Sequence, residues 1–147
     1  MALLAWIDRP ELPLSADDRA YLRAHVAETH DHHARLAGRP TPEDARARRE
    51  ELVLKPCRFG GSHGVLVGKD ATPDEWARRM EETWTDPEWV LQAFSDPLQD
   101  LDGTRLSYGV YNYAGELGGL LVRTAPQLVV SARTADIVVA SCGLSAA

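Results

Sequence analysis

The chain has 147 residues, the length of a single domain. Its 16 Lys and Arg against 22 Asp and Glu leave a net charge of −6, which argues against nucleic-acid binding through bulk charge. Apolar residues at 44% and charged residues at 26% mark a globular rather than a disordered chain. No apolar run approaches the ~20 residues of a membrane span, and the start, MALLAWIDRP, lacks the basic region of a signal peptide. Two cysteines, Cys57 and Cys142, make no disulfide framework, so a reducing, cytoplasmic setting is expected.

Residues 1–50 read as helical and polar. Ser15 suits an N-cap, with Asp17 and Asp18 in the first turn. Tyr21, Leu22, Val26 and Leu36 make a thin apolar stripe, and Gly38 with Pro40 predicts the stop. Thr41-Pro42-Glu43-Asp44 opens a second short helix predicted to run through ARARREE.

Beyond residue 51 the pattern alternates. LVLKP (52–56) predicts a strand closed by Pro56. FGGSHG (59–64) is a turn, and GVLVG (64–68) the returning strand of a hairpin. Thr72-Pro73-Asp74-Glu75 caps a helix with Trp76, Met80 and Trp84 on one face, a spacing that reads as core. WVLQAF (89–94) predicts a buried strand, and 95–104 an acidic loop. SYGVYNYAG, ELGGLLVRTAP, LVVSA and IVVAS predict about four more strands. The expected fold is α+β: a helical arm over 1–50, then one unit over 51–147 with a mainly antiparallel sheet and one packed helix.

The clearest chemical candidate is LKPCRFGGSHG (54–64). Glycines at 60, 61 and 64 free backbone N–H groups to cradle an anion, and Lys55 would add a fixed positive charge. A plain glycine hairpin beside a surface lysine fits the same residues, and no G-x-x-x-x-G-K-[ST] occurs. His25, His30, His32 and His33 gather around Asp31, but on a helix adjacent His32 and His33 point about 100° apart, so a solvated helix end is the simpler reading. Cys57, beside Arg58, reads as a small packing residue.

Several motifs recur in one order: Leu54-Lys55-Pro56, Gly60-Gly61-Ser62-His63-Gly64-Val65, Thr72-Pro73-Asp74-Glu75-Trp76, Trp89-Val90-Leu91-Gln92, and YNYAGELGGLLVRTAP ending in Arg123. In this order the chain resembles the ATP-grasp family, most closely the circularly permuted members related to glutathionylspermidine synthase. Residues 1–50 look like the helical linker before the family's lysine strand. The resemblance implies an ATP-binding half, with Lys55 on phosphate and the 60–64 turn closing over it. Gln92, Ala93 and Phe94 would be the hinge strand beside adenine, and Arg123 would end the later strand pair. Family ligases make an acyl phosphate that an amine attacks. This chain departs from the family at His63, where a Lys or Arg is usual, and at Ala93, where a Glu is usual. In permuted members the residues that hold Mg²⁺ lie in a half preceding the lysine strand. The resemblance therefore implies a partner subunit supplying metal and substrate sites, or a homo-oligomer. A degenerate, non-catalytic interaction or regulatory module fits the same motifs, as does a small binding protein whose hairpin takes no ligand.

Overall fold

The computed structural model describes residues 2–7, 9–31, 40–58, 62–131 and 135–140. The chain is α+β, and its described strands form two antiparallel four-stranded sheets. It divides into two compact units, Met1–Ser95 and Asp96–Ala147.

Three helices of the first unit start where side chains satisfy the free backbone donors of the first turn. In α1 (Ala16–His25), Asp18 N donates to Ser15 Oγ and Ser15 N donates to Asp18 Oδ2, both at 3.0 Å. Thr41 and Asp44 repeat this box at α2 (Pro42–Ala47), both at 3.1 Å. These cap hydroxyls hold the Asp18 and Asp44 carboxyls below the usual carboxylate range. Thr72 caps α3 (Pro73–Thr83), with Pro73 at its first position.

Two helices are shorter than expected. The first was predicted to reach Gly38 but ends at His25, because Val26 turns extended (φ −112, ψ 129). Residues Thr29–Asp31 then form β1, paired along β4 (Trp89–Ala93), which supplies backbone partners that a thinly apolar helix could not better. The second was predicted to continue through Glu51 but stops at Ala47, giving way to a 3-10 turn, Arg49–Glu51. There the Arg49 guanidinium donates to the carbonyls of Gly68 and Ala71, tying the turn to the end of the hairpin.

The first sheet has the order β1-β4-β2-β3, with β2 at Leu52–Pro56 and β3 at Leu66–Val67, shorter than the predicted 64–68. Leu52, Leu54 and Leu91 face the helices and pack with Ala45, Ala71, Trp76 and Met80; Leu66, Trp84 and Trp89 complete the margin. Trp76 and Met80 are fully buried, as their helical spacing predicts, and Trp76 Nε1 donates to Ala45 O at 3.1 Å. Each such side chain contributes about 1.5–3 kcal/mol. Residues of the first fifty thus add β1 to the sheet that includes β2 and Ala45 to its core.

The second unit holds β5 (Leu98–Gln99), β6 (Arg105–Tyr113), β7 (Glu116–Ala125) and β8 (Asp136–Ala140), in that spatial order. Ala114 and Gly115, at φ 53 and 90, make the tight turn between β6 and β7. The register slips by one between Tyr111↔Gly119 and Asn112↔Leu117, leaving Gly118 as a bulge. Two expectations change here. The loop 95–104 contributes the short strand β5, and LVVSA is irregular as far as Ser131, where Ala135 N donates to Ser131 O and turns the chain toward β8. No helix among the described residues is long and apolar enough to cross a membrane.

Candidate functional site

Side chains alternate across a strand, so the register fixes which residues share each face. The face turned away from the helical core carries Thr29 and Asp31 of β1, Val90 and Gln92 of β4, Val53 and Lys55 of β2, and Val67 of β3. Four of these seven are polar, unlike the opposite face. Leu52, Leu54 and Leu91 drive the strands together, and the alternating positions are then free to carry chemistry.

Lys55 sits one residue before the end of β2 and is half-buried. Its Nζ donates to Gln92 Oε1 at 2.5 Å, so the lysine and glutamine expected at a shared site meet, although 37 residues apart. Gln92 is buried, and its Nε2 donates to Thr29 Oγ1 at 2.7 Å. Burial pushes the Lys55 ammonium below the usual lysine range, since removal from water penalises the charged form.

In the row next to Gln92, Asp31 and Lys55 flank Val90. Asp31 is buried, and its Oδ2 accepts from Trp6 Nε1 at 2.6 Å and from Arg9 Nη2 at 3.0 Å. Its Oδ1 is buried with no hydrogen-bond partner. Trp6 belongs to an N-terminal 3-10 turn, Ala2–Trp6, so this carboxylate ties the chain start to the edge of the sheet.

The glycine turn is described in part. Gly60 and Gly61 lie outside the described residues, as do His32, His33 and Cys142. Ser62 and Gly64 both adopt positive φ, 60 and 74. A Cβ on Gly64 would lie 3.5 Å from Pro56 and 3.6 Å from Trp89, so the turn folds back on the ends of β2 and β4, beside Lys55 in the chain. His63 is exposed on it. Cys57 is half-buried and Arg58 pairs with Glu88 at 2.7 Å.

The segment expected as a hinge is the end of β4 and the residue after it. Gln92 faces Lys55, whereas Ala93 ends β4 and Phe94 follows it. The backbone N–H of Ala93 donates to Glu28 O at 2.8 Å and that of Phe94 to Glu51 O at 2.7 Å. A base lying against this segment would therefore meet side chains and carbonyl oxygens rather than those two donors. Arg123 belongs to the second unit, opposite Ser107 and Ile137, and its Nε is buried without an acceptor.

The described histidines of the group, His25 and His30, take separate partners. His25 stacks on Tyr21 (centroids 4.1 Å apart) with Nδ1 2.7 Å from Tyr21 O, while His30 Nε2 lies 3.1 Å from Glu28. Among the described residues no group of three or more His, Cys, Asp or Glu converges to hold a metal ion. Thr29, Trp6 and Arg9 were missed by the sequence reading, and Asp31 entered it only as a neighbour of the histidines. The capped helix start and the polar run ETHD signalled a helix, not an inward-facing strand. No protein-family model, curated protein or solved structure matches the chain.

Proposed function

We propose that the chain is the nucleotide-binding half of an ATP-dependent carboxylate–amine ligase, working in the cytoplasm with a partner subunit or second copy that supplies metal and substrate sites. The observation that carries this reading is the half-buried Lys55 ammonium, held by Gln92 on the polar face of the first sheet. Such a cation favours an anionic ligand: its charge is partly desolvated, and Gln92 takes one of its three protons. ATP would supply the transferable phosphoryl group, and Lys55 would hold phosphate oxygens. Among the described residues no group of three or more His, Cys, Asp or Glu converges to hold Mg²⁺, and this reading assigns that ion to the partner.

A second reading, a non-catalytic interaction module, is favoured by the second sheet. Leu98, Tyr108 and Val110 share one of its faces and are 67%, 52% and 64% exposed. Apolar surface of this kind marks an interaction site; it serves equally the association that the first reading requires.

Calorimetric titration with ATP and ADP separates the two. Lys55→Ala removes a charge-assisted contact worth about 1.5–3 kcal/mol, a loss of roughly ten- to hundred-fold in affinity. His63→Lys, which restores the cation usual in the family, tightens binding. If the wild-type chain binds neither nucleotide, alone or with a recovered partner, the ligase reading fails and the interaction module replaces it.

A further inference from the structure

We propose that Thr29 is a positioning residue for Lys55, acting through the Gln92 carboxamide along a one-way line of hydrogen bonds that crosses β1, β4 and β2. The role assigned to Lys55 rests on the nucleotide-binding reading; the line itself does not.

Three bonds make the line. Lys55 Nζ donates to Gln92 Oε1 at 2.5 Å, Gln92 Nε2 donates to Thr29 Oγ1 at 2.7 Å, and Thr29 Oγ1 donates to Ala27 O at 2.8 Å. An ammonium has only donors, so the amide must turn its oxygen toward Lys55. Its NH₂ then faces Thr29, whose hydroxyl must accept. The Thr29 proton is left for Ala27 O, which can only accept. One end is donor-only and the other acceptor-only, so every group between has a single permitted orientation. Bonds aligned this way reinforce one another.

The register explains why these residues meet. Thr29 lies directly opposite Gln92 across β1–β4, and Val53 opposite Gln92 across β4–β2. Lys55, two residues beyond Val53 on the same face, is the diagonal neighbour within reach of a long side chain. Gln92 is 5% exposed, so water does not readily replace a lost partner. Without the Thr29 acceptor the amide NH₂ is stranded. A flip to satisfy it would set donor against donor at Lys55. The ammonium would then lose the acceptor that fixes one of its protons and leaves the other two for a ligand.

Among the strand residues sharing this face, Asp31 is the other ionisable group, and it is held by Arg9 and Trp6. Both stay unchanged in the variants below.

The test is a titration of lysine side chains by NMR in the full chain. The sequence has two lysines, Lys55 and Lys69, so Lys69, which is exposed, is the internal control. Thr29→Val keeps the shape and removes the hydroxyl; Thr29→Ser restores it. Loss of one acceptor should lower the Lys55 pKa by about 0.5–1 pH unit in Thr29→Val, with no change at Lys69 and recovery in Thr29→Ser. ATP affinity should fall about three- to ten-fold in Thr29→Val and return in Thr29→Ser. A purely structural Thr29 would lower stability and leave the Lys55 titration where it was, which overturns the proposal. Should Thr29→Val fail to fold, Gln92→Met removes the same acceptor, and an unmoved Lys55 there overturns it equally. Wild type that binds no nucleotide defeats the ligase reading alone, because the titration still decides the line.

Discussion

Asp31 fastens the first residues of the chain to the edge strand that carries Thr29, and it does so with one oxygen. Both of its hydrogen bonds converge on Oδ2, while Oδ1 has none. Asp31→Asn can therefore place its single oxygen at Oδ2 and its NH₂ at the vacant position, keeping both bonds in neutral form. Charge-assisted bonds are about twice as strong as neutral ones, but a buried carboxylate also loses its desolvation cost, so the net loss should be about 1 kcal/mol. Asp31→Ala strands the Trp6 indole N–H and the Arg9 guanidinium. Two bonds to a charged acceptor are worth about 1.5–3 kcal/mol each. Arg9 is 30% exposed and regains water, so the lower end applies and the loss is roughly 3 kcal/mol. Urea unfolding followed by tryptophan fluorescence measures both, with circular dichroism confirming unchanged secondary structure before the transition. If Asn costs as much as Ala, both oxygens are at work and the single-oxygen anchor is wrong.

Two further outcomes follow from the same unit. Gly68→Ala would set a Cβ against the Arg49 carbonyl, 2.9 Å from its carbon, and should cost at least ~1–3 kcal/mol by chemical denaturation, whereas a neutral effect would mean the Arg49 turn yields freely. Burial holds Lys55 below the ordinary lysine value of 10.5, so between its lowered value and 10.5 the unfolded chain binds more protons and stability rises with pH. Below that interval both states are protonated and the full cost remains. Urea midpoints across alkaline pH should show this rise in wild type relative to Lys55→Met, and parallel curves would refute it.

Elements with local signals were legible in the sequence. β2, α3 and β4 lie within a residue of their predicted bounds because Pro56, the Thr72-Pro73 cap and β-branched or aromatic runs punctuate them. Lys55 and Gln92 were both singled out, and they touch. β1 was illegible for a physical reason. Its residues on the face shared with Gln92 and Lys55, Thr29 and Asp31, are polar, and they are held by Gln92, Trp6 and Arg9, partners 22 to 63 residues away. A hydrophobic pattern cannot report an interior stabilised by distant hydrogen bonds. LVVSA shows the converse error, since β-branched composition alone found no strand to pair with among the described residues.

The paired glycines of β7 act as a register buffer. Below them, Arg105↔Ala125 through Tyr111↔Gly119 run in one unbroken pairing; above them, Asn112↔Leu117 begins another. A change of length in the hairpin tip is absorbed at the bulge, so Arg123 keeps Ser107 and Ile137 as neighbours whatever the tip becomes. The strand pair β2–β4 has no such slack: its five pairs are continuous, and one inserted residue between Trp89 and Gln92 would swing Gln92 off the face it shares with Lys55. The tip is therefore where this plan tolerates a change of length, while the strands Leu52–Pro56 and Trp89–Ala93 are held to their count.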